Sequence, residues 1–271
     1  MRSLQESTHP RVVLFLVDGM RPDGLRTAHT PTMDAIMQQG TYTLKARTVS
    51  PSVTLPCHAS LFLSVPPERH GILINTWVPQ ARPVPGLFDL LHQAGKTAGA
   101  FYSWEQLRDL SSPGSLAVSL MLRTGQFPID QADWELTQAA LQWLATHDFD
   151  FAFVYLEKTD LVGHDEGWMS EPYLAAIQEA DRCIARVMEQ LPEETHYLVM
   201  ADHGGHNQLH GTQLHEDMVI PLLAQGPGIE RGKELEGEFS IMDVAPSILE
   251  LFNVARPKEW MGKPRLLGTL E

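Results

Sequence analysis

Residues 12–19 read Val-Val-Leu-Phe-Leu-Val-Asp-Gly, and this stretch decides the fold class. Six apolar residues follow one another without a polar break. A strand with one wet face would alternate, so an unbroken run marks a strand buried on both faces, as in a parallel sheet covered by helices. The run ends in Asp18-Gly19. Similar runs return at Asp150 to Leu156, Tyr197 to Met200 and Val219 to Ala224, while Thr41 to Ser50 and Thr97 to Tyr102 read as further strands. Helical stretches lie between them. Thr30 as N-cap, Pro31 at the first helical position and Gly40 as the C-terminal stop frame one. Pro56 to Ser64, Gly86 to Gly95 and Asp130 to about His147 read as others. Ser170 caps a long helix whose apolar Tyr173, Ile177, Ile184, Val187 and Leu191 follow helical spacing, and Asp243 opens a last one through Leu251. Strand alternating with helix predicts an α/β fold with a mostly parallel central sheet between two helical layers. Ligands of such sheets sit beyond the carboxyl ends of the strands. Asp18, Asp160 and Asp202 each stand at or soon after such an end, so three distant carboxylates are expected on one rim.

The 271 residues suit one large domain, with 103–129 read as an irregular segment or small lid. Lys and Arg number 20 and Asp and Glu 34, for a net charge of −14. Nucleic-acid polymers and anionic membranes select basic surfaces, so neither is an expected partner. Bound cations facing some of those negatives are the more natural expectation. Cys57 and Cys183 make no disulfide framework and no thiolate zinc finger, which favours reduced thiols in a cytoplasm. No run approaches the ~18 apolar residues of a membrane span. Met1 to Pro10 is polar and lacks a signal core, so the protein is expected to begin at or near Met1.

Four segments carry chemistry. Asp18-Gly19 alone is a common turn. Asp160 and His164, four apart, share one helical face and could share a metal ion, although an Asp–His hydrogen bond explains them equally well. Asp202-His203-Gly204-Gly205 follows a strand directly. Neighbouring side chains reach one site only through a tight turn, which the glycines permit. His206, His210 and His215 follow at once, and a glycine-rich stretch with four His is hard to explain as a solvated face. Finally, Thr48 to His58 links a strand to a helix N-terminus, where free backbone N–H groups attract phosphate. A hydroxyl there could attack phosphorus once a metal or base lowers its pKa. Read alone, Ser52 or Thr54 would pass for an N-cap.

Together these segments resemble the alkaline phosphatase superfamily, in its type I phosphodiesterase and nucleotide pyrophosphatase branch. The resemblance runs from about Val12 to Gly228 and rests on VDGMRPD at 17–23, SVTLPCHASL at 52–61, PPERHGI at 66–72, the Asp160/His164 pair, ADHGGH at 201–206 and HGTQLHEDMVIPLLAQGPG at 210–228. It implies an alkaline phosphatase-like three-layer fold and two metal ions, usually zinc, with manganese as the alternative. By position, Asp18, Asp202, His203 and the Thr54 hydroxyl would hold one ion. Asp160, His164 and His210 would hold the other, with His215 as the reserve for His210. Where the family's pattern places a phosphate-contacting Asn, three residues after the nucleophile, this chain has Cys57. The backbone N–H of Leu55 is expected to hold a phosphoryl oxygen.

The resulting expectation is a two-metal phosphodiesterase acting on a small phosphoester through a phosphothreonine at Thr54. A phosphomonoesterase, a phosphonate hydrolase and a non-catalytic metal-binding module are the alternatives. Cys57 as a thiol nucleophile lacks a third group to orient a base. A sulfatase would need a Cys/Ser-x-Pro-x-Arg motif, which neither Thr54 nor Cys57 begins. Arg21 and Arg69 read as structural ion pairs, His70 as packing, and Trp77, Trp104 and Trp168 as core or rim.

Overall fold

A computed structural model describes residues 10–123, 125, 128 and 131–267. Its strands are β1 (Arg11–Val17), β2 (Thr41–Arg47), β3 (Ala98–Tyr102), β4 (Val118–Met121), β5 (Phe151–Leu156), β6 (Thr195–Met200), β7 (Val219–Gln225) and β8 (Lys233–Glu234). They form one sheet in the order β4-β3-β5-β1-β6-β7-β2-β8. The run that opened the sequence is its axis: β1 lies between β5 and β6, parallel to both. All seven of its residues are buried, which is why it shows no alternation.

Helices cover both faces, giving an α/β sandwich. On one side Glu171–Met188 packs on β1 and on the helices Pro31–Gln39 and Ala132–Leu144. On the other, Thr54–Leu63, Leu87–Gln93 and Val244–Leu251 pack together. There Phe62 stacks on Phe88 at 4.8 Å and meets Phe153 of β5 edge-on at 5.1 Å. Large aromatic rings buried in such pairs add to the area they remove from water.

The sheet is parallel except at β7, which runs antiparallel to both β6 and β2. The cause is local. The chain leaves β6 at the rim, stays on that rim through the His-rich segment and the short helix His215–Met218, and re-enters without a crossover. A return without a crossover can only be antiparallel.

Several boundaries differ from the sequence reading. The helix expected to start at Pro56 starts at Thr54, with Val53 as its N-cap. Gly40 follows Pro31–Gln39 in extended backbone, φ −140°, so it is not a left-handed stop. It is needed because a Cβ there would stand 2.0 Å from the Ala224 carbonyl. Within 103–129, Glu105–Leu110 is a 3-10 helix and Val118–Met121 adds a strand to the main sheet beside β3. Asp130, read as a helix cap, lies outside the described residues. Ser170 does cap its helix, accepting from the Tyr173 N–H. Ser240 closes a capping box with Asp243 ahead of the last helix.

Candidate metal centre

β5, β1 and β6 are neighbours and parallel, so their carboxyl ends share one rim. Asp18 ends β1, Asp202 follows β6, and Asp160 rides the helix Lys158–Glu166 just after β5. Gly19 takes a left-handed turn, φ +68°, which brings the first segment within reach of Asp160. Two clusters result, and within each the ligand-type atoms lie within 4.8 Å of one another: Asp18, Asp202 and His203 in one, Asp160, His164 and His210 in the other.

The imidazoles are oriented from behind. Nδ1 of His203 faces the Gly204 carbonyl at 2.8 Å, Nδ1 of His164 the Gln208 carbonyl at 2.9 Å, and Nδ1 of His210 the Ser52 carbonyl at 2.8 Å. A carbonyl only accepts, so each Nδ1 carries the proton and each Nε2 is turned inward. Nε2 of His203 lies 3.2 Å from Asp18 Oδ1 and 3.4 Å from Asp202 Oδ2. Nε2 of His164 and of His210 lie 3.6 and 3.7 Å from the two Asp160 oxygens. The carboxylates are held too, Asp18 by the Tyr155 hydroxyl and Asp202 by the N–H groups of Gly19 and His203.

What these contacts leave over tests whether the residues fit cations. Asp18 Oδ1, Asp160 Oδ1 and Asp202 Oδ2 are buried without a hydrogen-bond partner. Buried carboxylate oxygens are costly unless paired or coordinating a metal. Burial, then Asp202 and Asp160, raises the Asp18 carboxyl well above the usual range. Burial likewise pushes Asp160 up to about 6, partly offset by His210 and His164. Burial would raise Asp202 too, but His203 and His58 outweigh it and bring it below its ordinary value. His210 is held down at about 4 by burial and by His203, hence neutral and able to ligate. Inward lone pairs, orphaned carboxylate oxygens and outward-facing protons fit divalent cations.

Thr54 lies at the first cluster, its Oγ1 3.1 Å from His203 Nε2. The Leu55 N–H points instead at Asn75 Oδ1, 3.0 Å away. Asn75 escaped the sequence reading because it sits in an irregular stretch without periodicity or motif.

Cys57, expected at phosphate, faces elsewhere. It is fully buried, takes the Thr48 hydroxyl at 3.1 Å, and lies near the Pro51 carbonyl. Burial, followed by the charge of Asp202, pushes its thiol well up, the opposite of an activated nucleophile. His215 stays outside both clusters and lines a surface pocket with Arg21, Asp23 and Glu216. Arg21 pairs with Asp23 and donates to the Gly205 carbonyl at 2.9 Å, and His70 shares a hydrogen bond with Ser60 at 3.0 Å.

Residues 12–219 match the family described as type I phosphodiesterase / nucleotide pyrophosphatase. Rat ectonucleotide pyrophosphatase/phosphodiesterase family member 1 is 27% identical over 224 residues, which are 73% of this chain and 24% of that protein. The chain spans about a quarter of the length of curated relatives of this kind. Murine ectonucleotide pyrophosphatase / phosphodiesterase 5, solved in an inactive form with AMP, superposes with a TM-score of 0.77 at 16% identity, covering 92% of this chain and 96% of that one. A phosphonate monoester hydrolase from Silicibacter pomeroyi superposes with a TM-score of 0.73 at 16% identity, covering 94% and 76%. At that identity the two structures speak for the fold alone.

Proposed function

Because this chain belongs to the type I phosphodiesterase / nucleotide pyrophosphatase family, we propose that it hydrolyses small phosphodiesters through a covalent phosphothreonine at Thr54. The observation that carries this reading is the position of Thr54. Its hydroxyl is buried at a helix N-terminus, against His203 of one carboxylate–histidine cluster, whose ring stacks on His210 of the other. Two divalent cations, zinc or manganese, would supply Lewis acidity there, lowering the pKa of the Thr54 hydroxyl and neutralising charge on the departing oxygen.

The chain's own groups do the rest. Asp18, Asp202 and His203 hold the nucleophile's side of the site, and Asp160, His164 and His210 the leaving group's side. The Leu55 N–H, at the start of Thr54–Leu63, is aimed where a phosphoryl oxygen would rest. Asn75 occupies that donor in the free protein. A substrate oxygen would displace its carbonyl, and the carboxamide could then offer its N–H₂ to the same phosphoryl group. Thr54 Oγ1, its proton passed to solvent, attacks phosphorus in line; one alcohol of the diester departs, protonated by solvent, and the other stays on the phosphorus now bound to Thr54. Water then cleaves the bond between phosphorus and Oγ1, restoring the hydroxyl and releasing a phosphate monoester. The net charge of −14 disfavours a polyanionic polymer as substrate.

The test is hydrolysis of aryl phosphate monoesters, diesters and phosphonates by protein stripped of metal and then reconstituted. Diester turnover restored by metal supports the reading. Faster cleavage of monoesters or phosphonates would move the substrate class while keeping the site. Binding of two cations with no turnover of any ester would leave a metal-binding module.

A further inference from the structure

Trp168 touches every segment that builds the two clusters. Its Nε1–H donates to the Gly19 carbonyl at 2.9 Å, one residue beyond Asp18. Its ring meets His164 edge-on at 5.1 Å and His210 at 6.0 Å. Two glycines make room for it. A Cβ at Gly163, one residue before His164, would stand 2.7 Å from the indole, and one at Gly205, two residues after His203, would stand 2.2 Å from it. The backbone on either side is bent to drive the ring inward. Gly167 has φ +93° and Met169 φ +71°, the latter uncommon for a residue with a Cβ. The Trp168 N–H is fixed on the Asn207 carbonyl at 2.7 Å, beside the Gln208 carbonyl that orients His164. Trp168 as a whole is only 7% exposed.

We propose that Trp168 is a positioning residue for the second cation: a wedge that keys the Asp160–His164–His210 cluster onto the Asp18-Gly19 turn. The cluster has a partly exposed member, His164, on a nine-residue helix, and His210 on a loop. Neither ring is held by the sheet itself. The first cluster, on strand ends and fully buried, needs the wedge less. Loss of the indole therefore loosens one half-site and spares the other. This rests on the two-cation reading above.

The experiment is a zinc competition titration against a chromophoric chelator. It compares the unchanged chain with Trp168→Ala and with Gly163→Ala, which puts a methyl against the same indole without removing it. The unchanged chain should take two equivalents; fewer would sink the two-cation reading itself. Trp168→Ala should keep one tight equivalent and weaken the other by roughly 10–100-fold, the usual loss when a ligand's orienting partner is removed. Gly163→Ala should weaken the same equivalent, and it decides the matter if Trp168→Ala does not fold. Trp168→Phe, which keeps a ring but not the N–H, should recover part of the lost affinity. Two unweakened equivalents in both Trp168→Ala and Gly163→Ala, or equal weakening of both, would overturn the assignment.

Discussion

The imidazoles of His203 and His210 stack face to face, with centroids 3.9 Å apart and planes 11° from parallel, although each belongs to a different cluster. The two half-sites thus meet through a pair of ligand-type rings, and His215 has no part in that contact. His210→Ala should remove about one equivalent of bound metal and most activity, while His215→Ala should leave metal content unchanged and activity within about tenfold, the smallest loss usual for a residue that only neighbours metal ligands. Metal analysis of the two purified variants checks this, and greater damage from His215→Ala would refute it.

Thr54→Ala should retain both cations, since three side chains remain at each, and lose turnover by several orders of magnitude, as expected when a nucleophile is deleted. Thr54→Ser keeps a hydroxyl at the helix start and should retain substantial turnover. Intact mass after rapid quenching should show, on the unchanged chain and not on Thr54→Ala, an adduct of the phosphate together with the alcohol the diester retains.

Asn75→Ala should cost about 10²-fold in kcat, the usual loss for one donor to a developing oxyanion, with metal content unchanged. Steady-state kinetics beside metal analysis separates this from a folding defect. An unchanged kcat would mean that Asn75 only caps the Leu55 N–H.

Cys57→Ser should be mild, within about tenfold or ~1.4 kcal/mol of barrier, because the thiol faces Thr48 and Pro51. Thiol alkylation of the native chain should be slow at neutral pH, since burial keeps Cys57 protonated. Rapid inactivation by iodoacetamide at Cys57 would contradict this placement.

Metal affinity should depend on pH with a definite sign. Asp160, raised to about 6, is protonated below that pH in the metal-free chain, and a cation must displace the proton. That competition should therefore lower affinity at its cluster by about tenfold per pH unit below about 6. His210, at about 4, adds no proton competition until pH falls near 4. Zinc titrations at pH 5, 6 and 7 measure the slope, and equal affinity at all three would refute it.

The strands and the rim were legible in the sequence because burial on both faces writes itself as an unbroken apolar run, as in Val12 to Val17. Asp18, Asp160, His164, Asp202 and His203 were legible because each follows such a run or pairs at helical spacing, whereas His210 was set apart from His215 only by the family resemblance. The reversed direction of β7 was not. Its composition matches that of a parallel strand, and only the path of residues 201–218 on the rim turns it around. Asn75 and Trp168 were hidden for a related reason. Their roles lie in contacts with Leu55 and Gly19, 20 and 149 residues away, and a residue's type says nothing of its partner. Cys57 was misplaced because sequence position was taken for side-chain direction. Three residues into a helix, it projects to Thr48 and the Pro51 carbonyl.

The central place of β1 bears on how the protein is born. Asp18 leaves the ribosome well before its partners: Tyr155, which bonds it, lies 137 residues on, and Asp202, which bonds the Gly19 N–H, is 183 residues beyond that glycine. Until those segments are synthesised, β1 is an apolar strand with neither parallel neighbour, a hazard for aggregation. Its pairings are non-local and slow to form. A cation shared by Asp18 and Asp202 would bind only after both neighbours have docked, so added divalent metal should not rescue a nascent or truncated chain ending before β6.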